Sequence, residues 1–238
     1  MNIIKLKEVD NTNEELKRRA AQGAENLTAI IAEKQTAGRG RYGRVWESEA
    51  GNLYCSILLR DVDIKTAHQL VHVAALAVVE TVESYLFDSK ITLKWPNDVL
   101  VDGKKIAGIL LESSGTADKL DYVIIGVGIN VESCPDYATS FKKHNSEQNL
   151  EDIEELFLDV FEEYLEVWKT PAPEGGFERI GNLWMQNAAF LDEQITVKLA
   201  EENIEGIFKG LTDNGEMVLE KGGKEEIISY GEIYASGN

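Results

Sequence analysis

Cysteine is almost absent, with two in 238 residues, Cys55 and Cys134, far apart and in no CxxC pattern. A disulfide framework or a thiolate zinc site needs more, so a reduced, cytoplasmic setting is the simpler reading. Histidine is scarce too, at three. His68 and His72 stand four apart, a spacing that can bind metal from one helix face, but no third ligand is evident. They read as core or surface histidines. Proline and glycine number 4 and 20, and no low-complexity tract appears, which excludes a disordered chain. Long apolar runs are also missing. Val73 to Val79 is the longest, far short of the roughly 20 residues that cross a bilayer, and the N-terminal residues hold no secretion-type stretch. Basic residues are the minority, 24 against 42 acidic, for a net charge of −18. That balance repels polyanions and works against nucleic acid as a general partner.

What is present is a hydrophobic fraction of 43%, ample for a core. The length suits one large α/β domain or a large domain plus a small one. Asn11-Thr-Asn-Glu14 looks like a capped helix start, with the helix ending near Gly23. Thr28 to Lys34 and Leu53 to Leu59 read as strands. Dense apolar residues from Ile64 to Phe87 predict one long buried helix. Ile91 to Trp95 reads as a strand stopped by Pro96. Asp102-Gly103 predicts a hairpin between Val99–Val101 and Lys105–Leu111. Tyr122 to Val127 is a further strand. Leu150 to Trp168 carries an apolar stripe at helical spacing, opposite acids. Thr170-Pro-Ala-Pro173 breaks it, and a helix from Phe177 to Gln186 follows.

The pattern then changes. Ile195–Leu199, Ile204–Leu211, Glu216–Leu219 and Glu225–Ser229 predict short strands, with turns at Asp213-Asn-Gly215 and Gly222-Gly223. A small β-barrel appended to an α/β or α+β domain fits this. We place the boundary near Ala188, giving domains 1–188 and 189–238.

Three segments carry possible chemistry. Gly38-Arg-Gly-Arg-Tyr-Gly43-Arg44 has GxGxxG spacing, but Gly51 and Asn52 deny it the helix that a dinucleotide fold requires. A mobile anion-binding loop suits it better, with glycine backbone and arginine side chains reaching phosphate. A solvated turn is the bland alternative. In Lys94-Trp-Pro-Asn-Asp98, Lys94 interrupts an apolar strand, where an ammonium needs a negative partner. Asn97 and Asp98 sit just past the strand end, where ligand contacts gather. Lys105, taken alone, reads as a solvated hairpin lysine. Gly128-Ile-Asn130 is equally well explained as a tight turn.

Together these residues resemble the biotin protein ligases. The match takes in Asn11-Thr-Asn13, Gln35-Thr-Ala-Gly-Arg-Gly-Arg-Tyr-Gly-Arg44, Lys94-Trp-Pro-Asn-Asp98, Lys105-Ile-Ala-Gly108 and Gly126-Val-Gly-Ile-Asn130, in the family's order. The resemblance covers nearly the whole chain, since the terminal β-segment is similar to the family's SH3-like domain. Lipoate ligases share the catalytic fold but lack the arginine-rich loop. The resemblance implies a mixed-sheet catalytic domain, biotin and ATP as substrates with Mg2+ accompanying ATP in no dedicated protein cage, and biotin transfer to a lysine of a biotin carboxyl carrier protein domain of a biotin-dependent carboxylase. A homodimer through the sheet is a further implication. Asn11, Thr12, Asn13 and Gln35 would meet biotin's bicyclic head. Arg39, Gly40 and Arg41 would lie on a loop folding over biotin and the adenylate. Lys105 would touch the biotin carboxylate and the α-phosphate region. Arg44, Trp46, Lys94, Asn97, Asp98 and Asn130 would serve the nucleotide, with Trp46 near adenine. Lys105 and Arg41 are the catalytic candidates.

The chain departs from the family at Asn11, where serine is common, and in its tail after Gly231-Glu-Ile233, which lacks an arginine found in some members. The pattern begins at Asn11, which leaves no room for the DNA-binding helix-turn-helix of bifunctional members. Two other readings compete: a non-catalytic biotin or biotinyl-AMP sensor, and a protein-interaction module built on the β-barrel.

Overall fold

The structure, a computed structural model, describes residues 1–146, 148–199 and 201–235. In chain order the first sheet and its helices are β1 (Asn2–Val9), α1 (Thr12–Ala21), β2 (Thr28–Gln35), β3 (Leu53–Leu59), α2 (Leu70–Glu83), β4 (Ile91–Lys94), β5 (Asp98–Val101), β6 (Lys104–Gly115) and β7 (Leu120–Ile129). Helices α3 (Leu150–Lys169) and α4 (Phe177–Gln186) follow. The strands form a seven-stranded sheet in the order β1-β2-β3-β7-β6-β5-β4. Only β1–β2 pairs in parallel; the other pairs are antiparallel.

Strand periodicity explains the layering. Ile30, Leu58 and Ile124 point to one face, where they pack with Leu16 and Ala20 of α1. Ala29, Ile31, Ile57 and Ile125 point to the other, into the larger core with α2 and α3. β3 is covered on both faces and buried throughout, which is why its sequence is an unbroken apolar run apart from Ser56. α1 is capped by the Asn11 side chain, which accepts from the Glu14 amide.

The helix expected from Ile64 to Phe87 is shorter. A 3-10 turn at Ala67–Gln69 precedes α2, and the Lys65 amide donates to the Asp63 carboxylate while Thr66 and Ala67 donate to the Asp63 carbonyl. Asp63 therefore builds its own turn instead of a helical one. β1 was not expected, because its exposed edge alternates Lys and Glu with apolar residues and gives a weak signal.

The C-terminal strands are β8 (Gln194–Lys198), β9 (Asn203–Leu211), β10 (Met217–Lys221), β11 (Lys224–Ile228) and β12 (Glu232–Ala235). They form an SH3-like antiparallel sheet in the order β11-β10-β9-β8-β12. β12 is the strand that the sequence pattern did not mark. The core residues of this sheet, among them Val197, Phe208, Leu219 and Ile233, join the same cluster as α2 and α4.

Candidate active site

Every residue to which the family resemblance assigns a biotin or nucleotide role lines one cavity of about 460 Å³. Its walls come from the start of α1, the loop after β2, the β4–β5 junction, β6, the end of β7 and β12. Lys105 and Arg41, the two candidates for catalysis, lie in it together with the remaining candidates.

At the α1 end the polar side chains hold one another. The Gln35 Oε1 accepts from the Thr12 amide at 2.8 Å and the Thr12 hydroxyl at 3.1 Å. The Gln35 Nε2 donates to Ser48 Oγ at 2.9 Å. Asn13 Nδ2 donates to Glu112 at 2.7 Å, and Asn13 Oδ1 lies 2.5 Å from the buried Ser56 hydroxyl. Asn11, a helix cap, also donates to the Ala37 carbonyl at 3.4 Å, tying α1 to the loop. Gly126 makes this close seating possible: a Cβ there would lie 2.4 Å from Asn13 Oδ1.

The glycine- and arginine-rich segment is not a dinucleotide turn: no helix follows it, and its tip is largely exposed while its arginines reach other elements. It folds back on itself through an Arg39–Val45 bridge, with Gly40 N donating to the Arg44 carbonyl at 2.8 Å and Trp46 N to the Gly38 carbonyl at 3.0 Å. Its tip is a 3-10 turn at Arg41–Gly43. Each arginine reaches a different element. Arg39 pairs with Glu14 of α1. Arg41 donates to Asn97 Oδ1 at 3.2 Å and to the Gly231 carbonyl at 3.1 Å. Arg44 meets Glu232 of β12 at 2.5 Å. Burial pushes the Glu232 carboxyl up, but hydrogen bonds from Arg44 and Tyr234 outweigh it and the net shift is downward. Lys17 and Arg39 together hold Glu14 below its ordinary range, against a smaller effect of burial.

Trp46 lies flat over the end of β7. A Cβ on Gly128 would come within 2.7 Å of its indole, so the glycine is required by the ring above it. The indole N–H is buried and has no hydrogen-bond partner among the described residues. Lys105 Nζ stands 5.1 Å from the ring centroid, within cation–π range.

At the β4–β5 junction, Asp98 meets Lys105 at 2.5 Å and Lys94 at 3.9 Å. Lys94 thus has the negative partner that its position demanded. Asn97 is fixed by two bonds to Ile109, which leaves Oδ1 for Arg41. Asn130 is buried, and its amide donates to the Thr139 carbonyl at 3.0 Å, while the Thr139 amide donates to the Lys105 carbonyl at 2.9 Å. It therefore braces the chain behind Lys105.

Sequence reading missed Ser56, Glu112, Glu232 and Tyr234. Ser56 was visible as the one aliphatic hydroxyl inside the apolar run of β3. Glu112 follows an apolar strand with no local mark, and β12 carries no motif. Chemically, five cations converge on one hollow in a molecule of net charge −18, and carboxylates on this chain engage Arg39, Arg44, Lys94 and Lys105. A polyphosphate or carboxylate ligand can take over those contacts.

Comparison with known proteins fits this geometry. The model for the biotin/lipoate A/B protein ligase family matches residues 6–130, and that for the biotin protein ligase C-terminal domain matches residues 190–235. The chain is 34% identical to a biotin–[acetyl-CoA-carboxylase] ligase of Paracoccus denitrificans, over 98% of this chain and all of that one. It is 31% identical to the Mycobacterium tuberculosis protein of the same name, over 94% of this chain and 85% of that one. The structure of Aquifex aeolicus biotin protein ligase in complex with biotin and ATP superimposes with a TM-score of 0.84 at 32% identity, covering 98% of this chain and 97% of that one. With both of its sheets matched and its cavity built from the motif residues, the chain belongs to the biotin protein ligase family.

Proposed function

We propose that the cavity activates biotin with ATP and passes it to a lysine of a biotin carboxyl carrier protein domain. The observation that carries this reading is the convergence of Arg41, Lys94 and Lys105, from three separate segments, on a cavity whose far end is polar and uncharged at Asn11, Thr12, Asn13 and Gln35. The uncharged end suits biotin's bicyclic head, and the cationic end suits phosphate. Arg39, Gly40 and Arg41 would cover biotin and the adenylate. Arg44, Trp46, Lys94, Asn97, Asp98 and Asn130 would serve the nucleotide.

In the first step a biotin carboxylate oxygen attacks the α-phosphorus of ATP, the bond to the β-phosphate oxygen breaks, and pyrophosphate leaves. Two anions must meet, and Lys105 and Arg41 offset their repulsion and stabilise the charge growing on the phosphoryl oxygens. In the second step the neutral ε-amine of the acceptor lysine attacks the acyl carbon, loses a proton, and AMP departs. Biotinyl-5′-AMP is a mixed anhydride open to water, so a loop held over it protects the intermediate. ATP enters as its magnesium salt. The nearby carboxylates Asp98, Glu112 and Glu232 are each engaged by cations of this chain.

We take residues 1–188 as the catalytic domain and 189–238 as the accessory one, with 236–238 outside the described residues. Free cysteines at 55 and 134 suit the cytoplasm. The outer edge of β1, which ends the sheet order, suits a homodimer formed through the sheet. A sensor reading is weaker, because a binding module has no need for Lys105 beside Asp98 at the reacting end.

The test is ATP–pyrophosphate exchange that depends on biotin. Exchange supported by another small carboxylic acid and not by biotin would overturn the assignment. Arg41→Ala is expected to release biotinyl-5′-AMP about ten- to a hundredfold faster, the loss of charge-assisted hydrogen bonds worth about 1.5–3 kcal/mol. Stopped-flow measurement of adenylate release checks this, and an unchanged rate removes the loop from that role.

A further inference from the structure

The histidine pair that the reaction does not use has its partner in the accessory sheet. His68 Nε2 lies 2.6 Å from the Asn214 carbonyl oxygen, and His72 Nε2 lies 3.1 Å from that of Gly215. A carbonyl only accepts, so both rings carry a proton on Nε2. The Gly215 oxygen also accepts from the Trp95 indole at 3.4 Å. One oxygen in the β9–β10 turn is therefore gripped from α2 and from the residue next to Lys94. His72 is buried, with Phe177 and Trp184 ring centroids at 5.6 and 5.5 Å, so its ring has little freedom. The seat is also closed from the other side: Gly215 has φ +85, and a Cβ on it would come 2.7 Å from both His72 Nε2 and Phe177 Cζ.

The effect of this contact is felt across the sheet. β10 and β9 pair, β9 pairs with β8, and β8 pairs with β12. β12 and its leading glycine meet three of the cavity's cations: Arg41 at the Gly231 carbonyl, Arg44 at Glu232, and Lys94 at 5.3 Å from the Tyr234 ring. Away from the cavity, two attachments supply the hydrogen bonds that join the sheets among the described residues. One is the turn just described. The other is residues 187–189 lying along β4, with Leu93 N donating to the Asn187 carbonyl at 2.7 Å and Ala189 N to the Leu93 carbonyl at 2.9 Å. A single attachment at 187–189 would act as a hinge. The second one fixes the angle.

We propose that His72 and Trp95, acting through the Gly215 carbonyl, are positioning residues that set where β12 stands over the nucleotide end of the cavity. This rests on assigning ATP to that end. The experiment compares His72→Leu, Trp95→Phe and Gly215→Ala with the full chain. Each is expected to raise the KM for ATP about tenfold or more in pyrophosphate exchange, with kcat and the KM for biotin within about twofold. His72→Gln keeps a donor near Nε2 and is expected to restore the ATP KM. A second readout needs no ligand: amide hydrogen exchange at residues 232–235 should quicken in His72→Leu and stay slow in His72→Gln. Trp95→Phe keeps the aromatic volume, so it carries the test if His72→Leu does not fold. An unchanged ATP KM in folded Trp95→Phe and Gly215→Ala, with unchanged exchange in β12, overturns the proposal. Lys105→Ala measured alongside separates the two readings. If it exchanges normally, the nucleotide assignment has failed, and the exchange of β12 amides still decides the clamp.

Discussion

Replacing Lys105 with alanine is expected to slow adenylation by about two to three orders of magnitude while the protein remains folded. Lys105 projects from β6 into the cavity, 2.5 Å from Asp98 and 5.1 Å from the Trp46 ring. Its ammonium is held in place before substrate arrives, which is what makes a charge effective in a transition state. Losing one preorganised donor of this kind costs about 2.7–4 kcal/mol of barrier. The cost to folding is small by comparison. Lys105 is part-exposed, and Asp98 keeps Lys94 at 3.9 Å, so no carboxylate is left buried and alone. Single-turnover formation of biotinyl-5′-AMP measures the first step. Transfer from chemically supplied biotinyl-5′-AMP measures the second, which should fall much less because no anion approaches another there. A near-normal first step removes Lys105 from the mechanism.

How much of this was legible in the sequence depended on where a residue's partners lie along the chain. Buried strands such as β3 announced themselves, because both faces are covered and apolar residues run on without a break. The Asp102-Gly103 hairpin and α4 were readable from purely local chemistry. The glycine and arginine loop was ambiguous between phosphate binding and a solvated turn, since nothing local says what an arginine will meet. Its partners, Glu14, Asn97 and Glu232, are 25, 56 and 188 residues away from it. The same separation hid β12, a four-residue strand whose place is set by pairing with β8 and not by its own composition. β1 was hidden for a different reason: an edge strand with its polar side in water lacks the apolar density that marks strands. The histidine pair, expected as core or surface residues, divides into a buried His72 and an exposed His68, yet its contacts to Asn214 and Gly215 required the tertiary structure.

His72 alone is expected to make the protein about 3 kcal/mol less stable at pH 4 than at pH 7. Burial, with His68 nearby, takes its pKa from 6.5 down to about 4, against the smaller opposing pull of the Gly215 carbonyl. The unfolded chain therefore binds a proton that the folded one refuses between these two values. Stability from this group is fully present above pH 6.5 and is lost as pH falls toward 4. Protonation would place a second N–H on Nδ1, which is buried and has no hydrogen-bond partner among the described residues. The surrounding rings of Phe177 and Trp184 offer no acceptor to compensate. Many carboxylates titrate in the same range, so the measured quantity is the difference between the wild type and His72→Gln. Urea unfolding at a series of pH values should give a steeper acid loss for the wild type, with the two curves parallel above pH 7. Parallel curves all the way to pH 4 would mean that His72 is protonated as readily in the folded protein as in the unfolded one, and the buried neutral clamp would have to be abandoned.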